Sequence, residues 1–63
     1  MWVLVCILVL HAEAGFSVTT KEHPMPNQTE CEYELKRIEI MLTEMILETE
    51  DRLTFSLTCE YRG

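Results

Sequence analysis

The feature of this chain that most constrains its fold is an unbroken run of apolar residues at its beginning. Residues 2–10 read WVLVCILVL, and the triplet AEA follows at residues 12–14. A short apolar segment that ends in a small-x-small triplet is typical of a secretory signal peptide. The run is too short to cross a bilayer as a helix, which takes about 20 residues. We therefore predict a signal peptide over residues 1–14, cleaved after Ala14. The alternatives are a buried strand or helix and an uncleaved signal anchor.

Cleavage at this site would leave two of the three cysteines. Cys6 lies in the apolar run and would leave with it, whereas Cys31 and Cys59 stay in the mature chain. Exported proteins fold in an oxidising compartment, where an even number of cysteines is typical of disulfides. We predict an intrachain disulfide between Cys31 and Cys59, with an intermolecular bridge or free thiols as the alternatives. In the chain-entropy account, closing a loop of about 28 residues stabilises the fold by about 3–4 kcal/mol.

The segment after the cleavage site has no helical period. Residues 15–28 read GFSVTTKEHPMPNQ, and its two prolines remove backbone donors and disfavour helix in their neighbours. We expect an extended, flexible arm here. The triplet Asn27-Gln28-Thr29 is an acceptor for N-linked glycosylation. We predict a glycan on Asn27.

A long amphipathic helix follows the arm. Thr29 and Glu32 have the spacing of a capping box, which marks a helix start. No glycine or proline interrupts the chain from there to about Thr49, and apolar residues recur with the period of one helix face. The main members of this stripe are Cys31, Leu35, Ile38, Leu42 and Met45, and Met41 and Ile46 widen it.

The last segment alternates between apolar and polar residues. Residues 53–61 read LTFSLTCEY, a period of two that predicts a half-buried β-strand. Cys59 falls on its apolar side, just as Cys31 falls on the apolar stripe of the helix. We therefore predict a small α+β body over residues 29–63, in which one long amphipathic helix is followed by one strand and a single disulfide joins them.

A second apolar stripe suggests a contact with another molecule. Tyr33, Ile40 and Leu47 recur every seven residues on the side of the helix opposite the main stripe. A single strand covers only one side of a helix, so these side chains would stay exposed, and exposed apolar patches often mark contact surfaces. The alternative is that three exposed apolar residues are ordinary for a folded surface.

Composition and motifs exclude several classes of function. Five Lys and Arg residues stand against eleven Asp and Glu residues, which argues against nucleic acid and, after signal cleavage, against membrane binding. The acidic excess favours a partner with a basic surface. The sequence has no Gly-rich phosphate loop, no CxxC motif, no histidine pair at metal spacing and no Ser/His/Asp set. We expect no catalysis, no cofactor and no metal.

Residues 57–63, LTCEYRG, resemble one strand of an immunoglobulin-type sheet. The order of signal, cysteine-bearing helix and return strand is broadly similar to that of small secreted ligands and to the start of some peptide-hormone receptor ectodomains. We predict a small secreted, non-enzymatic protein that binds an extracellular protein partner, either a receptor or a second copy, as a ligand or modulator. The alternatives are a truncated N-terminal part of a larger receptor or cell-surface ectodomain, and a membrane-retained microprotein with an uncleaved signal anchor.

Overall fold

A three-stranded antiparallel sheet with one helix against it makes up the fold. The computed structural model describes residues 1–50 and 52–63. In chain order the elements are β1 (Trp2–Ala12), β2 (Gly15–Met25), α1 (Gln28–Glu48) and β3 (Leu53–Tyr61). The order across the sheet is β2-β1-β3, and both pairs are antiparallel. The predicted architecture of one helix followed by one strand is therefore wrong, because two further strands precede the helix.

The apolar run that suggested a signal peptide forms β1, the central strand. It is paired along its length with β2 on one side and along most of its length with β3 on the other. Val3, Leu4 and Val5 are only 3%, 1% and 8% exposed. A strand that is buried on both faces has the same unbroken apolar sequence as the core of a signal peptide. Cleavage after Ala14 stays a prediction, and it would remove this strand from the sheet.

Strand β2 is a polar edge strand. The sequence predicts a flexible arm over residues 15–28, and in the structure this stretch contains β2 and the start of the helix. A two-residue loop joins β1 to β2, and Gly15 enters β2 with a φ of 141°, which favours glycine. Pro24 is tolerated because it is on an edge strand. It pairs with Val3, whose own backbone bonds point toward β3, so the nitrogen of Pro24 faces outward.

The helix confirms the predicted periodicity, but its first turn is capped differently. Asn27 is the N-cap, and its Oδ1 accepts a hydrogen bond of 2.8 Å from the backbone N–H of Glu30. The helix therefore begins at Gln28, and the predicted cap at Thr29 is wrong. At the other end, the N–H of Thr49 donates to the carbonyl of Met45 at 3.0 Å. Glu50 then adopts a left-handed φ of 55°, a common way to end a helix.

The core lies between α1 and one face of the sheet. The disulfide to the helix places Cys59 on this face, and the register places Leu4 opposite Cys59. The four most buried apolar residues on this side are Leu4, Cys31, Leu42 and Leu53. Burying a side chain such as Leu4 stabilises a fold by about 1.5–3 kcal/mol, a large share of the stability of a chain this small.

The opposite face of the sheet carries an ion cluster in place of a second helix. Arg62 donates to Glu22 on β2 and, at 3.1 Å, to Glu60 on β3. Glu22 is paired with Val5 and Glu60 with Val3. Because β1 lies between β2 and β3, the Arg62 side chain must cross the central strand to reach Glu22. This crossing explains why Val3 and Val5 are buried on a face that no other helix or strand of the described residues covers.

Candidate functional site

A disulfide fixes the helix to the sheet. Cys31 and Cys59 are bonded, with their Cα atoms 6.1 Å apart and 28 residues between them in the chain. This confirms the predicted intrachain pairing. Cys31 lies in the first turns of the helix and is fully buried. The third cysteine, Cys6, is a half-buried free thiol in β1.

The bridge also determines which side of the helix faces outward. At about 100° per residue, Tyr33, Ile40 and Leu47 lie roughly 160–200° around the helix from Cys31. Because Cys31 faces the sheet, this outer stripe (Tyr33, Ile40 and Leu47) points away from it. The three side chains are 67%, 64% and 76% exposed. Their role in partner binding stays a prediction.

The helix that carries the outer stripe is acidic as a whole. The helix contains six glutamates against Lys36 and Arg37, a net charge of -4. Arg37 forms a two-point ion pair with Glu34, with N–O distances of 3.0 and 2.8 Å. This hydrogen bonding lowers the pKa of Glu34 and raises the pKa of Arg37. The pair neutralises itself and leaves the rest of the helix surface strongly acidic.

A second apolar surface lies between α1 and β2, where the sequence had predicted buried residues. Met41 and Met45 belong to the main stripe by periodicity, yet they are 49% and 44% exposed, and Leu10 of β1 is 49% exposed. The reason is that α1 packs mainly over β3 and β1 and contacts β2 least. The result is an open cavity of about 300 Å³. Its lining residues are Leu8, Leu10, Ser17, Thr19, Leu42, Met45, Thr49 and Leu53.

The residues of β2 provide only a weak indication of this open cavity. The side of β2 that faces the helix carries Ser17, Thr19 and Lys21, which pair with Leu10, Leu8 and Cys6 of β1. These polar side chains give the helix no apolar surface to cover. These polar residues indicate an open cavity only once residues 15–25 are known to form a strand beside β1.

The predicted glycosylation site is accessible. Asn27 is exposed in the short connection between β2 and α1. Its Oδ1 caps the helix, whereas an N-linked glycan would be attached to the Nδ2 atom. Capping and glycosylation therefore use different atoms of the same side chain. Glycosylation of Asn27 stays a prediction.

Two further types of site are absent from residues 1–50 and 52–63. No three His, Cys, Asp or Glu side chains in these ranges are grouped so that they could hold a metal ion. The one helix there is not apolar enough over a sufficient length to span a membrane.

Comparisons with protein-family models, with curated proteins and with solved structures found no match.

The ion cluster on the outer sheet face predicts an unusually acidic carboxyl group. The hydrogen bond from Arg62, aided by its charge, lowers the pKa of Glu22 below the ordinary value of 4.5. In an NMR titration, we expect Glu22 to protonate below pH 4.5, and Arg62→Gln to return its midpoint toward that value. The ionised form stabilises the fold above pH 4.5, and this contribution is lost as the pH falls through the lowered pKa.

The Arg37 and Glu34 pair is the internal control for this titration. Arg62→Gln should leave the midpoint of Glu34 unchanged, because Glu34 is paired with Arg37 on the helix. An unshifted Glu22 in the parent protein would contradict the assigned ion cluster.

Proposed function

We propose that this chain is a small secreted, non-enzymatic protein that binds an extracellular protein partner through the outer stripe of α1. One observation carries the proposal: a disulfide holds one side of the helix against the sheet while the opposite side presents three large apolar residues to solvent. A helix fixed in this way loses little conformational freedom on binding, which lowers the entropic cost of association.

The disulfide also supports the extracellular location. Stable disulfides are common in secreted proteins and rare in the reducing cytosol. The small size of the body agrees with this, since chains of fewer than about 70 residues commonly need a covalent staple to fold. The glycosylation triplet at Asn27 and the apolar run at residues 2–10 also favour export from the cell.

The residues of the proposed surface lie outside the first fourteen residues. The outer stripe and both bridged cysteines lie between residues 31 and 59. They are therefore present whether or not the chain is cleaved after Ala14.

The chemistry of the outer stripe indicates the kind of partner. Its residues repeat every seven positions, the spacing of an amphipathic helix that lies in a groove of another protein. Tyr33 adds a hydroxyl group to a large apolar surface, a combination enriched at interfaces. The helix carries a net charge of -4, so a groove with a basic rim fits best. Such charges mainly accelerate and orient the encounter.

Secretion is tested by expressing the full coding sequence in cultured secretory cells. We expect the protein in the medium, with its mass lower by two hydrogens for the bridge and higher by a glycan that Asn27→Gln removes. Intact mass before and after enzymatic deglycosylation gives both results. Recovery only from the membrane fraction, or free thiols at both Cys31 and Cys59, would contradict the proposal.

Binding is tested with fluorescently labelled protein on the surface of living cells. We expect saturable binding that the triple variant Tyr33→Lys, Ile40→Lys and Leu47→Lys weakens at least ten-fold, because it removes the apolar contact and repels a basic rim. Circular dichroism establishes that each variant keeps its helix.

The control variant, Phe16→Lys with Val18→Lys, changes two apolar residues of β2 that are 70% and 54% exposed. It should bind like the parent protein. Equal binding by the triple variant and the parent would show that the outer stripe is not the binding surface.

A further inference from the structure

Among residues 1–50 and 52–63, no strand pairs with the outer edge of β3. Met1 and Arg62 exchange two backbone hydrogen bonds of 2.7 Å, and the N–H of His11 donates to Arg52 at 2.7 Å. Bonded and non-bonded pairs alternate along an antiparallel ladder, so the even-numbered residues of β3 bond to β1. The odd-numbered residues point their N–H and C=O groups outward. They are Leu53, Phe55, Leu57, Cys59 and Tyr61.

The two edges of the sheet differ in how they discourage further pairing. The outer edge of β2 contains Pro24, which lacks an N–H, and carries the charged residues Lys21 and Glu22 next to it. Charged residues and proline are the usual means by which proteins block an edge strand. Strand β3 has no proline, no lysine and a single charged residue, Glu60, near its end. Its edge is therefore the one open to another strand.

We propose that the edge of β3 pairs with β3 of a second copy of this chain, antiparallel and about a two-fold axis at Leu57. The two sheets would join into one of six strands in the order β2-β1-β3-β3-β1-β2. Because this axis is perpendicular to the sheet, both helices lie on the same face. The outer stripe of each helix still faces away from the sheet, so this surface is separate from the proposed partner site.

A second copy fits this edge because the alternation of apolar and polar residues in β3 is nearly symmetric about Leu57. In this register, every outward N–H and C=O group of the five odd-numbered residues meets a partner. On the helix side of the sheet, Leu57 faces its own copy, and apolar residues or cysteine face one another along the strand. On the outer side, Ser56 faces Thr58 of the second copy, and Thr54 faces Glu60. A two-fold interface requires such self-complementarity.

The charges at the ends of the paired strands also complement one another. Arg62, Glu22 and Glu60 together carry a net charge of -1. In the proposed register Arg52 of the second copy lies diagonally opposite Glu60, within reach of long side chains. Arg52 of the second copy also lies opposite Arg62. The carboxylates of Glu22 and Glu60 already outweigh the positive charge of Arg62. The net charge of -6 on each chain opposes association, but salt at about 0.15 M screens it beyond about 8 Å.

The test uses two double variants of the full oxidised chain that differ at one position. Ser56→Lys with Thr58→Lys places lysine opposite lysine twice across the axis, whereas Ser56→Lys with Thr58→Glu places lysine opposite glutamate twice. By sedimentation equilibrium at pH 7 and about 0.15 M salt, we expect a parent dimer. The Lys/Lys variant should dimerise about ten-fold more weakly than the Lys/Glu variant, since like charges directly opposite are destabilising.

The net charges of the two variants predict the opposite order of dimerisation, so the expected result would be specific to contacts across the axis. The Lys/Lys variant has the smaller net charge and would dimerise better if only long-range repulsion mattered. A second measurement uses chemically synthesised protein with an N-methyl group on Leu57, which removes an outward donor and keeps the side chain. It should abolish the dimer, whereas N-methylation of Thr20, on the outer edge of β2, should not.

Three results would overturn the proposal. The first is a parent protein that is monomeric at about 1 mM, the Kd of a very weak complex. The second is equal dimerisation of the two lysine variants with their circular dichroism unchanged. The third is loss of the dimer on N-methylation of Thr20 but not of Leu57, which would place the contact on β2.

Discussion

The pairing of β1 with both of its neighbours is the interaction on which the rest of the structure depends. Strands β2 and β3 do not pair with each other, so the sheet exists only while β1 lies between them. The same strand supplies Leu4 to the core beneath the helix, and Val3 and Val5 to the face beneath the Arg62 ion cluster. A strand that must be apolar on both faces has no alternation, and its sequence therefore becomes indistinguishable from that of an export signal.

The disulfide stabilises a different part of the fold from β1. It joins α1 directly to β3, and it fixes the rotation of the helix about its own axis. Two free surfaces follow from these constraints. The helix has a side facing away from the sheet, which is the proposed partner site, and β3 has an outer edge with unpaired backbone groups, which is the proposed site for a second copy. The first is apolar and lies on a helix with a net charge of -4, and the second is defined by backbone hydrogen bonding.

The sequence was sufficient for the elements with a strong period and insufficient for the others. The helix and β3 were predictable because their apolar residues recur at 3.6 and 2 residues, and the alignment of Cys31 and Cys59 with those apolar faces led to the correct bridge. Strand β2 was not predictable, because an edge strand exposed on both faces needs no alternation and tolerates Pro24. The exposure of Met41 and Met45 was not predictable without β2, since the position of the helix depends on which strands lie below it.

Hydrogen exchange of the full oxidised chain, measured residue by residue by NMR, tests the central role of β1 most directly. We expect the amides of Val3, Leu4 and Val5 to exchange among the slowest in the protein, because they bond alternately to β3 and β2 in the most buried part of the sheet. The opposite result would be exchange of residues 2–12 at the rate of an unfolded chain while α1 and β3 stay protected. That result would mean that the helix and its bridged strand fold without the apolar segment, and it would contradict the central role of β1.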